Sequence, residues 1–197
     1  MRKVDPEKVE AKRRQILDAA IDCFARQGFH GTSTASICAA AGMSPGNLFH
    51  YFPTKASIIE AIAQDEQLAT AEIFEKWSGA EDALTAIEEI VVEWMRLASE
   101  PTYARISIEV GAEASRNPDI KALFLVNDQR VKGRMITLIE RGIRQGAIDA
   151  ALAPDLLASW LIALAEGAVG RVVFESKFDL SAHEPVFRRI VRRTLQK

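Results

Sequence analysis

The sequence contains little cysteine, proline or glycine, and its apolar residues form no long run. Its two cysteines, Cys23 and Cys38, do not make the disulfide framework of a secreted protein, and both fall in apolar, helix-like segments. The longest mostly apolar run covers residues 156–165, about half of the roughly 20 residues that a membrane-spanning helix needs. Charges occupy the N-terminus where an export signal would be apolar. We therefore expect a cytoplasmic location and no membrane partner.

Motifs for catalysis and metal binding are also missing. The three histidines, His30, His50 and His183, lie far apart in the chain, and His183 has no second histidine near it. The sequence contains no Walker loop, no GxSxG, no HExxH and no dinucleotide fingerprint. We therefore expect no enzyme, no metal site and no cofactor.

Charge is distributed unevenly along a chain whose net charge is −2. Residues 1–56 carry eight Lys and Arg against five Asp and Glu, whereas residues 57–197 carry 17 against 22. The two parts are therefore expected to bind different partners. Positive charges gather before the first helix and in its first turns, at Arg2, Lys3, Lys8, Lys12, Arg13 and Arg14. Such a patch can face a polyanion, although a solvated basic stretch explains it as well.

Apolar residues recur at helical spacing, and no segment alternates long enough for a strand. Ile16, Ala20 and Phe24, for example, fit one face of one helix. Breaks that contain glycine or proline divide the chain into about nine helices. We place them near residues 7–27, 34–41, 45–51, 54–77, 80–99, 102–116, 119–145, 154–176 and 182–196. The predicted fold is all-α, with a three-helix domain at residues 1–56 and a larger helical bundle at residues 57–197.

Two short helices within residues 33–52 have the pattern of a helix-turn-helix. Gly42 permits the positive φ of the turn, Ser44 can cap the second short helix, and Pro45 suits its first position. Leu48 falls on the inward side of that helix. Its N-terminal end then carries no bulky apolar side chain and can enter the major groove of DNA.

The same region carries the pattern of a known family. The stretch from Arg13 to Ala61 resembles the DNA-binding domain of the TetR family of bacterial transcriptional regulators. The resemblance rests on these residues in the family's order and spacing: Ile16-Leu17-Asp18-Ala19-Ala20, Phe24, Gly28-Phe29, Gly31-Thr32-Ser33, Ile37, Ala40-Ala41-Gly42-Met43-Ser44, Gly46-Asn47-Leu48-Phe49-His50-Tyr51-Phe52 and Lys55.

The resemblance implies which residues contact DNA. The second short helix is the family's recognition helix, and the positions that approach bases or phosphates match Ser44, Pro45, Gly46, Asn47, His50 and Tyr51. Positions that contact the DNA backbone match Ser33, Thr34 and Lys55. Lys55 starts a helix capped by Thr54, where an ammonium group and free backbone N–H groups both favour phosphate.

Three residues depart from the family's usual pattern. Phe49 stands where tyrosine is commoner, which removes one hydroxyl for phosphate, and Pro45 stands where lysine or arginine is frequent. Ser36 stands where an acidic residue commonly completes a capping box. We therefore expect the first short helix to start somewhat weakly.

The acidic second part looks like the family's ligand-binding and dimerisation domain. The resemblance implies a ligand cavity among its middle helices. The candidate contacts are Trp94, Ile108, Glu109, Phe124 and Met135. On bare sequence the apolar members fit plain core positions better, and a glutamate on a helix is usually a solvated face.

A dimer is expected because one recognition helix reads too few bases, whereas two copies about 34 Å apart read a palindrome. The last two helices are the candidate interface, since small residues beside aromatic ones let a partner backbone approach closely. The predicted interface residues are Trp160, Ala163, Gly167, Gly170, Phe174, Phe187 and Ile190. The same stripes can instead pack only within the monomer.

These expectations describe a homodimeric transcriptional regulator that binds a palindromic operator in double-stranded DNA and is released by a small-molecule inducer. Repression is favoured because most members of the family repress. The alternative is an all-helical protein that binds small molecules or other proteins without operator-specific DNA binding. That alternative explains the second domain equally well but leaves the two short helices and Lys55 unexplained.

Overall fold

The structure is a computed structural model and describes residues 5–175 and 177–196. Nine helices and no strand occur in these residues, which confirms the predicted all-α fold. The helices are α1 (Pro6–Gly31), α2 (Thr34–Ala40), α3 (Pro45–Tyr51), α4 (Lys55–Ser78), α5 (Ala83–Ala98), α6 (Pro101–Ala114), α7 (Pro118–Arg144), α8 (Pro154–Phe174) and α9 (Leu180–Leu195). Each predicted helix is present, with its ends moved by a few residues at most.

Local side-chain chemistry explains two of those shifted ends. The carboxylate of Asp82 accepts the backbone N–H groups of Leu84 and Thr85, so α5 begins at Ala83 rather than near residue 80. In α1, Gly28 has a φ of +70° and interrupts the helix before a last short turn. Glycine adopts this conformation without the clash that a Cβ would cause.

The chain divides into two compact units. The first unit runs to Asp65 and also contains Glu109–Leu123, and the second contains Glu66–Ile108 and the chain from Phe124 onward. The division predicted after residue 56 therefore falls inside the first unit. Helix α4 continues through this point without a glycine or proline. The sequence therefore contains no helix-breaking residue at the boundary between the two units.

The first unit has its core among the first four helices. The side chains of Ile16 and Phe24 in α1, Ile37 in α2 and Leu48 in α3 are at most 1% exposed. Apolar residues of α4 are buried in the same unit at Ile58, Ile59, Ala61 and Ile62. The two cysteines are free thiols and are buried here, as the sequence predicted. This core holds α2 and α3 in place beneath their exposed faces.

The second unit is built on α5, which packs against α8 and α9. Its inward stripe on α8 consists of Leu157, Leu161 and Ala165. The larger buried cluster also includes Phe74, Leu84, Ile87, Ile90, Val91, Met135, Leu138, Ile139, Ile148, Ala158, Val191 and Leu195. Ile73 and Trp77, near the end of α4, also pack against this cluster.

Helix α8 is long and apolar enough to cross a membrane by length and composition alone, with a mean hydropathy of 1.6 over its best window. The sequence-based estimate counted only residues 156–165 and was too short, because the helix continues through Gly167 and Gly170 to residue 174. Such a helix is weak evidence for a span, since helices of soluble proteins pass the same test. Only 28% of the window is buried within the chain, so most of its surface faces outward.

Candidate nucleic-acid interface

The turn between α2 and α3 is closed by backbone hydrogen bonds. The N–H of Met43 donates to the carbonyl of Cys38 at 3.0 Å, and the N–H of Gly42 donates to that of Ala39 at 3.3 Å. This pair of bonds is a Schellman motif, which needs a left-handed residue just after the helix. Gly42 supplies it with a φ of +63°, as the sequence predicted. The turn therefore fixes the angle at which α3 leaves α2.

The start of α2 is better capped than the sequence suggested. The hydroxyl of Ser33 accepts the N–H of Ser36 at 3.0 Å, and the hydroxyl of Ser36 accepts the N–H of Ser33 at 3.1 Å. Serine at the third position thus completes the reciprocal box that an acidic residue usually forms. The box that an acidic residue commonly closes is therefore present here, while a somewhat weaker helix start stays a prediction, because a neutral hydroxyl is a weaker acceptor than a carboxylate.

Helix α3 turns its predicted DNA-facing residues outward. Its cap, Ser44, accepts the N–H of Asn47 at 3.3 Å, and Pro45 occupies the first helical position. The side chains of Ser44, Pro45, Gly46, Asn47 and His50 are exposed or partly exposed, and Tyr51 is half-buried. The structure therefore brings the predicted recognition residues to one accessible helix, and their contacts with DNA stay a prediction.

Lys55 has structural partners that the sequence did not reveal. Its Nζ donates to the carbonyl oxygens of Phe29 at 2.7 Å and Thr32 at 2.9 Å. Nζ also lies 4.4 Å from the centroid of the Phe29 ring, within the range of a cation–π contact. Two of the three ammonium N–H groups are thus committed to the protein. The predicted phosphate contact is left with the third.

The basic stretch of α1 is partly compensated. Arg14 lies 2.9 Å from carboxylate oxygens of both Asp18 and Asp65. The guanidinium of Arg13 lies 4.7 Å from the centre of the Phe52 ring. Arg2 and Lys3, which the sequence placed in the same patch, lie outside the described residues. The positive field of this region is therefore weaker than the count of basic residues suggests.

The predicted dimer residues of α8 lie on one outward stripe. Trp160 is 69% and Phe174 is 76% exposed, and Ala163, Gly167 and Gly170 lie between them at helical spacing. Ile190 of α9 is also exposed. We call the outward apolar residues of these two helices the α8–α9 surface: Leu156, Trp160, Ala163, Gly167, Gly170, Phe174, Val186 and Ile190.

Phe187 does not belong to that surface. It is half-buried and packs against the core of its own unit. Residues 187, 191 and 195 share one face of α9 at a spacing of four, and Val191 and Leu195 are fully buried. Phe187 therefore lies on the inward stripe, and its part in an interface stays a prediction.

The predicted ligand contacts lie in different environments in the structure. The carboxylate of Glu109 accepts the N–H of Phe29 at 2.8 Å within the first unit, and its contact with a ligand stays a prediction. Met135 is a fully buried core residue, and Ile108 and Phe124 are exposed. Trp94 packs its ring against Phe74 at 5.4 Å, and its buried indole N–H has no acceptor among the described residues.

An open groove of about 420 Å³ lies in the second unit. Its lining residues are Ala69, Glu72, Ile73, Lys76, Glu93 and Leu97. Burial alone would raise the pKa of Glu93, but hydrogen bonds from Lys76 and Trp77 outweigh it and lower the pKa. The charge of Glu93 is therefore already satisfied by neighbouring donors.

The second unit also holds a polar cluster that sequence reasoning missed. The carboxylate of Glu66 accepts hydrogen bonds from Tyr103 at 2.7 Å and Ser107 at 3.2 Å. Burial and the nearby Glu66 carboxylate raise the pKa of Tyr103. Burial and the charges of Asp128 and Glu66 raise the pKa of Glu166. The spacing of Tyr103 and Ser107 on α6 placed them on one face, which was the available signal.

Comparison with known proteins finds two family models that match this chain. Residues 16–62 match the sequence model of bacterial regulatory proteins of the tetR family, and residues 83–196 match that of the BetI-type transcriptional repressor C-terminal domain. The HTH-type transcriptional regulator UidR of Escherichia coli (strain K12) is 32% identical over 149 residues, which cover 73% of this chain and 70% of UidR.

Solved structures show the same fold. GusR of Salmonella enterica superposes with a TM-score of 0.77 and 26% identity, over 94% of this chain and 95% of GusR. The regulator FadR of Bacillus subtilis, solved in complex with stearoyl-CoA, superposes with a TM-score of 0.80 and 18% identity, over 93% of this chain and 99% of FadR.

The chain belongs to the TetR family of bacterial transcriptional regulators. It is accordingly a DNA-binding transcriptional regulator with an N-terminal helix-turn-helix. The family consists of transcriptional regulators, which are generally not enzymes, and its members are soluble proteins of the cytoplasm.

Proposed function

We propose that this protein is a cytoplasmic, homodimeric repressor without enzymatic activity, which binds a palindromic operator and leaves it when a small molecule binds the second unit. The observation that carries this proposal is α3, a capped helix whose N-terminal half exposes only small or polar side chains above a buried Leu48. A helix of this kind fits the major groove.

The DNA contacts divide into two kinds. Asn47 can pair with adenine through two hydrogen bonds, and His50 can donate or accept at a base edge. The methylene groups of Pro45 and Gly46 can contact thymine methyl groups. The caps of α2 and α4 expose backbone N–H groups that suit phosphate and set the register of the protein on DNA.

Dimerisation is supported by the α8–α9 surface. Trp160 and Phe174 are among the most exposed apolar residues described, and large exposed apolar patches mark interaction sites. A second copy that covers this surface by a two-fold operation would bury both stripes at once. Two recognition helices would then face successive turns of one side of the duplex.

Binding of an effector in the second unit is supported by Trp94. Its indole N–H is buried without an acceptor among the described residues, and such groups usually have a hydrogen-bond partner. An effector oxygen would supply that partner. FadR, which shares this fold, holds stearoyl-CoA. An effector that prefers the non-binding arrangement shifts the protein off DNA by its difference in affinity, typically about 1–3 kcal/mol.

The test is selection of bound sequences from a random duplex pool by the purified protein, repeated with Asn47→Ala and Tyr51→Ala. Gln64→Ala, an exposed position of α4, is the control. We expect a palindromic motif with wild type and the control, and a lost or relaxed motif with the two α3 variants.

Other results have equally definite meanings. If the selected motif is unchanged in both α3 variants, an element other than α3 recognises the DNA sequence. Absence of any enrichment at low salt, with protein that has been unfolded and refolded to remove bound small molecules, would reject operator binding and favour the alternative of an all-helical small-molecule-binding protein.

A further inference from the structure

A contact between α6 and the break in α1 lies inside the first unit. Gly28 turns the chain with a φ of +70° and a ψ of 166°. The following N–H, that of Phe29, donates to Oε2 of Glu109 at 2.8 Å. Phe29 is 7% exposed, so this N–H is shielded from water and benefits from a charged acceptor.

Glycine at position 28 also makes room for the carboxylate. A Cβ on residue 28 would lie 3.3 Å from both carboxylate oxygens of Glu109, which is closer than most such contacts. Glu109 therefore rests directly on the peptide between residues 28 and 29. The approach is specific to this pair of positions.

Lys55 contacts both ends of the same loop, since its Nζ donates to the carbonyl of Phe29 at 2.7 Å. Nζ also donates to the carbonyl of Thr32, and the N–H and hydroxyl of Thr32 donate to the carbonyl of Gly28 at 3.2 and 2.8 Å. Thr32 is 1% exposed. The position of the ammonium group is thus set by the backbone of residues 28–32 as well as by α4.

Two of these bonds share one peptide group. Thr32 donates to the carbonyl of Gly28, and the N–H of the same Gly28–Phe29 peptide donates to Glu109, so these bonds polarise one another. Lys55 binds the carbonyls of Phe29 and Thr32. The carboxylate on α6 and the ammonium on α4 therefore hold the same loop.

We propose that Glu109 is a positioning residue for operator binding: it fixes the 28–32 loop that places the Lys55 ammonium for a DNA phosphate. The proposal rests on the proposed function, in which the third N–H of Lys55 contacts phosphate. It gives Glu109, far from the helix-turn-helix in sequence, a role in the affinity of that motif. The family resemblance assigned Glu109 only to a ligand cavity.

The test measures affinity for the selected operator duplex over a range of salt concentrations. Glu109→Met has nearly the same length but no acceptor, and Glu109→Gln keeps an amide oxygen that can accept the Phe29 N–H. Glu140→Met, at an exposed position of α7, is the control for loss of one carboxylate. Lys55→Met and the double variant Glu109→Met/Lys55→Met complete a cycle.

We expect Glu109→Met to bind about tenfold more weakly. The slope of log affinity against log salt should become shallower by about 0.9 for each phosphate that the protein no longer neutralises. Glu109→Gln should regain most of the affinity and the wild-type slope. The Glu109→Met change should cost little further affinity once Lys55 is methionine, because both substitutions remove the same interaction with phosphate.

Glu109→Met with a wild-type salt slope, or losses that add fully in the double variant, would overturn the inference while the proposed function stands. A merely structural role lowers the fraction of folded protein, which circular dichroism measures, and leaves the slope unchanged. If Glu109→Met does not fold, Glu109→Ala, which also removes the acceptor, takes its place in the same cycle and is held to the same slope and the same non-additivity. A wild-type protein that binds no duplex would overturn the proposed function and this inference with it.

Discussion

Glu88 of α5 and Arg188 of α9 form an ion pair in the second unit, with 3.0 Å between Oε1 of Glu88 and Nη1 of Arg188. The Glu88 side chain is 7% and the Arg188 side chain 24% exposed. Glu88 also contacts Arg192, and Arg188 also pairs with Glu89 and Glu184. Hydrogen bonds from Arg188 to Glu89 first, then to Glu88 and Glu184, outweigh burial and raise the pKa of Arg188. The network attaches α9 to α5.

Removal of the Glu88 carboxylate should destabilise the fold. Glu88→Ala leaves a cavity and deprives two arginines of a buried partner, while Arg188 keeps Glu89 and Glu184. We expect the free energy of unfolding in urea to fall by about 2 kcal/mol, below the usual cost for a fully buried pair. The exposed Glu140→Ala should change it by less than about 0.5 kcal/mol. An equal effect of both substitutions would show that the network contributes nothing specific.

Loss of half of the α2 capping box should weaken the first unit. Ser36→Ala removes the hydroxyl that accepts the N–H of Ser33, while Ser33 still caps the helix, so we expect about 0.5 kcal/mol less stability by thermal or urea unfolding. Ser36→Glu should retain the box, because a carboxylate at this position can accept the same N–H. If the alanine variant is as stable as wild type, water replaces the hydroxyl at no cost.

Lowering the pH should remove the contribution that Asp82 makes to the free energy of unfolding. A hydrogen bond from the Thr85 hydroxyl, together with the N–H groups of Leu84 and Thr85, lowers the pKa of Asp82. A group whose pKa is lower in the folded state stabilises the fold above its unfolded pKa of about 3.9, and this contribution is lost as the pH falls through the folded value. Asp82→Asn has no charge to lose.

The measurement for Asp82 is urea unfolding of wild type and Asp82→Asn between about pH 7 and about pH 2.5. The difference in unfolding free energy should be constant above about pH 5 and shrink steadily as the pH drops below about 4. A difference that is independent of pH would assign the capping effect to shape and hydrogen bonding alone.

A charge on the α8–α9 surface should separate the subunits. Trp160→Glu places a carboxylate where a partner would bury an apolar ring, and charges are depleted at the core of interfaces. We expect sedimentation to give the mass of a monomer, about 21.7 kDa for the chain, in place of twice that value. Leu68→Glu, at an exposed apolar position of α4, is the control and should stay dimeric. A dimer that survives Trp160→Glu would place the interface elsewhere.

The sequence by itself determined what short-range chemistry decides. Helical periodicity predicted nine helices, and Gly42, Ser44 and Pro45 predicted the turn and the start of α3, because φ preferences and caps act within a few residues. The one local feature that the sequence did not reveal is that the hydroxyl of Ser36 closes the capping box of α2.

Tertiary structure alone decided which partners distant residues meet. Glu109 read as a solvated or ligand-facing glutamate, yet it binds the N–H of Phe29, 80 positions away in sequence. The sequence placed Phe187 and Ile190 on one apolar stripe. In the structure Phe187 packs against the core of the second unit, whereas Ile190 is exposed. Periodicity specifies which residues share a helix face, whereas the packing of other helices decides which face is buried.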